Sequence, residues 1–429
     1  MLSIAVPIYT YPEKAVQQLR KSGTDPLGRY YTSNVVGCTL VREMNLRSPR
    51  VIVDLGVGDG VLTVEAAKIW KTAKLVTVDI DSNFNKQTNL TNNCHHTHDV
   101  LNSKLHTQIG LALGSVDGAI CNPPYIRTRW KKDFAEILED AGLSGILPSI
   151  RDVGADVLFI AQNLRFLRSS GRLGLIVPDG ILAGEKYTKL RKILLNEHRV
   201  DRVIELPRRI FKKTDAKAHI VILTKKASSN QPVIVERMEL DGSLSARLLV
   251  PISTAIRRLD YSYLESQIAL ESPHNYVLSD VCEALTRGQL SSADVRRSNT
   301  NIFHSTDFPP IVDNYCPNVP KPFIISKAKS VLLNTAIAQT GDILICRVGR
   351  NLEQKVCYVP KGFVALSDCV YKLRVGEAYR QEVMDFLCGD SGQNRLKALA
   401  HGVGAKYFSK EDLLSFAVES DKVFSLHNK

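Results

Sequence analysis

The chain has no C-x-x-C pair anywhere, and its nine cysteines are odd in number and scattered. That excludes a disulfide framework and a zinc knuckle, and it points to reduced thiols in a cytosolic compartment. No apolar run approaches the roughly 18 residues that a membrane span needs. The opening MLSIAVPIYTYPEK lacks the basic region and small-residue cleavage site of a signal peptide. A cytoplasmic protein that does not touch a membrane is therefore expected. Internal repeats and low-complexity tracts are also absent. A metal site is not expected: Cys94-His95-His96-Thr97-His98 supplies ligand types, but adjacent ligands rarely close a tetrahedron and no second cluster completes one.

What is present begins with size and charge. At 429 residues the chain is too long for one ordinary core, so two domains are expected. Its 44% hydrophobic and 23% charged residues are those of a globular protein. A net charge of +12 suggests a polyanionic partner, with a merely basic surface as the alternative.

From residue 50 to 225 apolar strands alternate with helical patterns. RVIVDLG (50–56), KLVTVDID (74–81), GAIC (118–121), RLGLIV (172–177), RVIEL (202–206) and AHIVILT (218–224) read as strands. VLTVEAAKIWK and DVLFIAQNLRFL carry apolar residues at helical spacing. This alternation predicts an α/β fold, a doubly wound and mostly parallel sheet. The polar KKASSNQP (225–232) is a plausible end to that sheet. After about residue 260 the pattern changes to short strands punctuated by Gly, Pro, Asn and Ser. The expected division is 1–260 and 261–429, the second part a β-rich α+β domain.

The first strand runs into DLGVGDG, with Asp54, Gly56, Gly58 and Gly60. A dinucleotide site needs G-x-G-x-x-G, and Val61 stands where the third glycine should be, so that reading fails. The spacing suits a nucleoside without a pyrophosphate, such as S-adenosylmethionine. Asp54 would then face the amino end of its methionine moiety. Asp79 ends the next strand, where a carboxylate can accept both ribose hydroxyls, and Ile80 beside it can pack on the adenine. The alternative is a tight glycine loop with no ligand and a solvated strand end.

Asn122-Pro123-Pro124-Tyr125 ends the strand at Cys121, and two prolines forbid both helix and central strand. An exocyclic amine is a poor nucleophile because its lone pair is delocalised into the ring. Two acceptors that take its N–H protons, the Asn122 side-chain oxygen and the Pro123 carbonyl, would aim that lone pair. Consecutive prolines fix the carbonyl's direction, which suits an in-line transfer. Tyr125 offers an aromatic face to a flipped-out base.

Glycine turn, acidic strand end and Asn-Pro-Pro-Tyr together resemble the gamma class of DNA adenine-N6 methyltransferases, above all the modification subunits of type I restriction systems. The similarity runs from about residue 25 to 225. It implies a SAM-dependent methyltransferase sheet acting on the N6 amine of adenine in double-stranded DNA, within a restriction-modification or related defence system. It leaves open a separate restriction nuclease or partner subunit. On this resemblance GRYYTS (28–33) is a cofactor-capping segment, with Tyr31 and Thr32 as contacts. Asp99 would meet the cofactor's adenine amine, Phe159 would pack on its ring, and Phe211 would stack on the target base opposite Tyr125. For Phe159 the alternative is core packing, and for Asp99 a simple turn. Arg127, Arg129, Lys212 and Lys213 are the expected DNA contacts of this half. Asn-Pro-Pro-Tyr also occurs in RNA adenine and protein glutamine methyltransferases, so the motif alone does not fix the substrate. Cytosine-N4 enzymes usually carry Ser at the position of Asn122, which favours adenine.

NYVLSDVCEALTRGQL (275–290), TGDILICRVGR (340–350) and ALSDCVYKLR (365–374) resemble a target-recognition domain of a type I specificity subunit, and GVGAKYFSKEDLLSFAV (402–418) its closing segment. Arg287, Arg296, Arg297, Lys327, Lys329, Arg347 and Arg350 could reach phosphates and guanine edges from its loops, Arg347 and Arg350 foremost. A rival pattern, Asp342 with Glu353-Gln354-Lys355, has the D…E-x-K spacing of metal-dependent nucleases and would make a combined nuclease-methyltransferase. A DNA binder that has lost catalysis is disfavoured by the intact motifs.

Overall fold

The computed structural model describes residues 32–81, 92–126, 128–147, 149–208, 210–211, 217–227, 230–268, 275–298, 301–331, 335–401 and 405–419. The chain divides into two compact units, Met1–Leu259 and Asp260–Lys429.

The first unit is built on a nine-stranded sheet. Its strands are β1 (Val51–Leu55), β2 (Lys74–Asp79), β3 (Asn93–Thr97), β4 (Val116–Cys121), β5 (Leu167–Pro178), β6 (Arg199–Glu205), β7 (Ala218–Thr224), β8 (Val233–Arg237) and β9 (Leu248–Val250). They lie in the order 3-2-1-4-5-7-6-8-9. The strands β3, β2, β1, β4 and β5 run parallel, and β7 is inserted antiparallel between β5 and β6. Both faces of the central strands are buried, as in β7, where every residue from Ala218 to Thr224 is covered. Such strands read as continuous apolar runs because helices cover both faces. On one face, Ile52, Leu75, Ile120, Ile176, Ile204 and Ile220 share a core with Val36 and Leu40 of helix α1 (Asn34–Glu43). Ser33 caps that helix, its hydroxyl accepting from the Val36 amide. The mixed α/β sheet agrees with the fold class read from the sequence. The polar segment 225–232 does not end the sheet, however. Strand β8 pairs parallel with β6 beyond it, and β9 pairs with β8.

Direction decides where chemistry can gather. Strands β1, β2, β4, β5 and β6 all point their carboxyl ends to one edge, and antiparallel β7 begins there. Between β2 and β4 the order reverses around β1, which opens a crevice at that edge. In turn along it stand Asp79, Gly56, Asn122, Asp179, Lys217 and Glu205.

The second unit holds a four-stranded antiparallel sheet, Cys282–Arg287, Val370–Val375, Ile343–Cys346 and Val356–Tyr358 in spatial order. Two helices, Glu377–Cys388 and Asp390–Leu399, bury Val383, Leu387 and Leu396 in the same core as Ile343, Ile345 and Leu373. Among the described residues no helix is long and apolar enough to cross a membrane.

Candidate active site

The turn after β1 is held by the neighbouring strand. The amides of Gly56 and Val57 both donate to the Val78 carbonyl, at 2.8 and 3.2 Å. Gly56 has φ +77° and Gly58 +57°, a region that side chains rarely adopt. The Gly58 amide donates to Asp79 Oδ2 at 2.9 Å, and the Asp81 amide to Asp79 Oδ1 at 2.9 Å. Asp79 is therefore buried and fixed at the strand end, and it also shapes the turn. Ile80, next to it, is 58% exposed, unusual for an isoleucine beside a buried carboxylate.

Gly56 is sterically required as well. A methyl group there would lie 2.8 Å from Cε1 of Phe159. Phe159 comes from the helix Ala155–Phe166 and is buried, its ring closing over the glycine turn. Gly56→Ala is thus expected to lower stability by about 1–3 kcal/mol, combining left-handed backbone strain with the clash. Thermal melting checks this, and an unchanged melting temperature would refute the close approach.

Asp54 is 2% exposed. Its Oδ2 accepts from Thr63 Oγ1 at 2.6 Å, while Oδ1 is buried with no hydrogen-bond partner among the described residues. Burial pushes its pKa up to about 7, against the Thr63 hydrogen bond, with Asp79 and Asp59 adding to the rise. A buried acceptor oxygen with nothing to accept from fits a cationic ligand group.

Across the crevice, β4 delivers Asn122. Cys121 before it is buried, its thiol donating to the Leu55 carbonyl at 3.0 Å and so tying β4 to β1. Burial pushes that thiol far above its ordinary pKa, so it is no nucleophile. Asn122 Nδ2 donates to Thr32 Oγ1 at 3.1 Å. This bond ties the amide to the segment before the first helix and holds its orientation. Tyr125 reaches the Ile176 carbonyl of β5 with its hydroxyl at 3.4 Å. The Ala155 amide donates to the Ile126 carbonyl at 3.0 Å, holding the exit of the proline turn.

The other expected residues differ in their surroundings. Phe211 is 1% exposed and packs with Val36, Leu206 and Met238, so stacking on a base would require it to leave that core. Asp99 follows the carboxyl end of β3, one residue after His98, whose amide donates to the Asp79 carbonyl at 2.9 Å; it is ion-paired with Lys131 at 3.0 Å and accepts from the Leu101 amide. Arg129 is exposed. Tyr31, Arg127, Lys212 and Lys213 lie outside the described residues. In the second unit Arg350 is exposed, and Arg347 Nε donates to the Asp368 carbonyl at 2.6 Å.

The nuclease spacing has a structural explanation. Asp342 is fully buried and bidentate with Arg374 at 2.7 and 2.9 Å. Lys355 donates to the Ser305 carbonyl at 2.8 Å. Among the described residues no three His, Cys, Asp or Glu side chains form a metal-holding group.

Sequence reasoning missed a buried polar cluster further along the same edge. Lys217 Nζ lies 3.1 Å from Glu205 Oε2 and 3.4 Å from Asp179 Oδ1. His219 Nε2 is 3.7 and 3.8 Å from the same carboxylates. These residues meet only because β7 runs antiparallel between β5 and β6, setting His219 opposite both Val177 and Glu205.

With this geometry in hand, comparison defines the class. The family model described as N-6 DNA Methylase matches residues 11–244. The chain belongs to that family. It is 30% identical over 131 residues to the methylase subunit of the type I restriction enzyme MpnII of Mycoplasma pneumoniae, covering 29% of this chain and 22% of that protein. It is 28% identical over 130 residues to the EcoEI methylase subunit of Escherichia coli, covering 30% of this chain and 24% of that one. The matched stretch thus spans less than a quarter of these relatives' length. Among solved structures, a type I methyltransferase subunit from Streptococcus thermophilus aligns with a TM-score of 0.43 at 23% identity, over 52% of this chain and 50% of that one. The type IIG restriction endonuclease BpuSI aligns with 0.49 at 13% identity, over 95% of this chain and 61% of that one.

Proposed function

We propose that the protein transfers a methyl group from S-adenosylmethionine to the N6 amine of a flipped-out adenine in double-stranded DNA. The observation that carries this reading is Asn122-Pro123-Pro124-Tyr125 at the carboxyl end of β4, beside the glycine turn and with the asparagine amide oriented by Thr32. S-adenosylmethionine supplies an electrophilic methyl group on a sulfonium. The chain's residues do the rest. Asp54 holds the ligand's ammonium, and Asp79 takes ribose hydroxyls with the lone pairs its backbone bonds leave over. Ile80 and Phe159 bracket the adenine, and Thr32 contacts the cofactor, as the family resemblance also implies for Tyr31. The Asn122 oxygen and Pro123 carbonyl accept from the target amine and aim its lone pair, Pro124 stiffens the turn, and Tyr125 stacks on the base. Labelled S-adenosylmethionine offered with DNA, RNA or protein tests the substrate: label is expected in DNA adenine, and label in RNA or protein alone refutes the reading.

The second unit is proposed as the target-recognition domain, with Arg347 and Arg350 among its DNA contacts and a separate nuclease or partner subunit as companion. A chain ending at Leu259 keeps Asp54, Gly56, Asp79 and Asn122. It also keeps Arg191, whose buried guanidinium donates to the carbonyls of Ile181, Gly184, Ile256 and Arg257. Its affinity for S-adenosylmethionine should match that of the full chain by calorimetry. Its preference for the target motif should fall by about 10³-fold or more, the usual gap between specific and non-specific binding. Methylation of the same motif by the short chain would remove the recognition role from residues 260–429.

A further inference from the structure

The chain's positive charge is unevenly divided. Residues 1–259 contain 37 Lys and Arg against 25 Asp and Glu, whereas residues 260–429 contain 19 of each. All of the net +12 therefore belongs to the first unit. Affinity for a phosphate backbone follows such an excess, and it is lost as salt rises. A neutral second unit adds little of that grip. Its part in DNA binding then rests on local contacts, Arg347 and Arg350 and uncharged groups among them, more than on a general excess of charge.

One feature of the second unit suits that demand. Val312, Asp313, Asn314 and Tyr315 form a tight turn: the Tyr315 amide donates to the Val312 carbonyl at 2.9 Å, and the two residues form an antiparallel bridge. Asp313 has φ +50° and Asn314 +60°. Two positive φ angles in succession mark the type I′ turn, whose twist matches paired strands and which Asn, Asp and Gly accommodate best. The turn is open to solvent: Asp313 and Asn314 at its tip are exposed, and the flanking Val312 and Tyr315 are 61% and 70% exposed. Its root is firm. Cys316 is buried in the core of the unit, with Ile311 and Phe308 packed against that core. Phe308 meets Phe303 edge-on at 4.9 Å. Past the tip, the Tyr358 amide donates to the Pro317 carbonyl and the Val319 amide to the Tyr358 carbonyl, both at 2.8 Å. Pro309, Pro310 and Pro317 stiffen both arms.

Between His304 and Lys321 this finger has no lysine or arginine and carries two aspartates. It is unsuited to phosphates, which would repel Asp313. It is suited to base edges. A carboxylate accepts from the cytosine N4 amine, an asparagine amide pairs with adenine N6 and N7, and a valine methyl packs on the thymine methyl. A tyrosine ring can stack on or wedge between bases. We infer that the Val312–Tyr315 turn is an element with which the second unit reads base identity in duplex DNA, alongside Arg347 and Arg350, while most of the phosphate grip lies in residues 1–259. This assignment rests on the proposed DNA methyl transfer.

The test uses the full-length protein with two variants. Asp313→Gly/Asn314→Gly removes both polar side chains yet keeps the turn, because glycine accepts positive φ. Tyr315→Ala removes the ring. Methylated positions are mapped by sequencing, and binding to motif and random duplexes is measured across a salt series. The expected result is unchanged S-adenosylmethionine affinity and an unchanged salt slope on random DNA. Preference for motif over random DNA should fall about 10- to 100-fold, with one or two positions of the motif relaxed. An identical motif at identical rates overturns the assignment. So does an equal loss on motif and random DNA with a shallower salt slope, which would make the turn a phosphate contact. Variants that methylate normally but no longer retain a protein subunit would make it a protein-docking element instead. A wild-type chain that modifies only RNA or protein overturns the DNA reading itself, and is recognised before any variant is made.

Discussion

Asn122→Ala is expected to lower methyl transfer by on the order of 10³-fold while leaving S-adenosylmethionine affinity within about twofold. The side chain stands just past the end of β4, one strand over from the glycine turn on β1, so its removal leaves Asp54 and Asp79 in place and takes from the cofactor half only the bond to Thr32. What goes is an acceptor for the target amine, needed only as the lone pair is aimed. A loss of that kind appears in kcat with little change in cofactor affinity. Thr32→Val should show a milder version, because Asn122 keeps its oxygen but loses the hydrogen bond that orients it. Single-turnover rates on DNA, with calorimetry of cofactor binding alongside, separate the two effects. An Asn122→Ala protein with most of its activity would refute the adenine-amine role of the motif.

The contrast between Asn122 and Thr32 shows what is legible in a sequence. Asn122 with its two prolines is a local signal, because the chemistry requires those residue types in succession. The glycine turn is legible for the same reason, since positive φ and close approach demand glycine. The bond from Asn122 to Thr32 spans 90 positions, and nothing in the spacing points to it. Thr63, which donates to Asp54, is equally silent among helix residues. The sheet from β1 to β7 was readable wherever strands are buried on both faces and therefore apolar throughout. Strand β3 was not, because Asn93–Thr97 is an edge strand and its histidines are only partly covered. Strands β8 and β9 escaped for a related reason: a polar, proline-containing linker marks the end of one connection, not the end of a sheet.

Charged residues are harder to read from spacing than apolar ones. Asp342 and Lys355 carry the spacing of a nuclease, yet Arg374, distant in sequence, takes both oxygens of Asp342. Lys131, in a run of basic residues after the proline turn, pairs with Asp99. Spacing along the chain reports chemistry only when the fold brings no stronger partner.

Asp54→Asn should stabilise the ligand-free protein while weakening its hold on S-adenosylmethionine, and both effects should depend on pH. The carboxyl has a folded pKa of about 7 against an ordinary 3.8, because burial disfavours its charge. The folded state therefore holds a proton that the unfolded state releases, and stability falls as pH rises from about 4 to about 7. Above pH 7 the full cost of burying the charge is present, about 4 kcal/mol at about 1.4 kcal/mol per pKa unit. Asparagine keeps an acceptor for Thr63 and carries no charge, but it brings an amide nitrogen that needs its own partner. A gain of about 1–3 kcal/mol at pH 8 is expected, fading to nothing near pH 4. Chemical denaturation of both proteins at the two pH values measures it. Binding should run the other way. The ammonium of the ligand favours the charged carboxylate, so wild-type affinity should fall as pH drops below about 7, towards tenfold per unit. It should fall again above about 8, where an α-amino group loses its proton. In Asp54→Asn the acidic limb of that profile should vanish, and affinity at pH 7.5 should drop by about 10- to 100-fold, the loss of one charge-assisted hydrogen bond. If the variant is both less stable at pH 8 and unchanged in its binding profile, Asp54 is a structural carboxylate and the cofactor's amino end lies elsewhere.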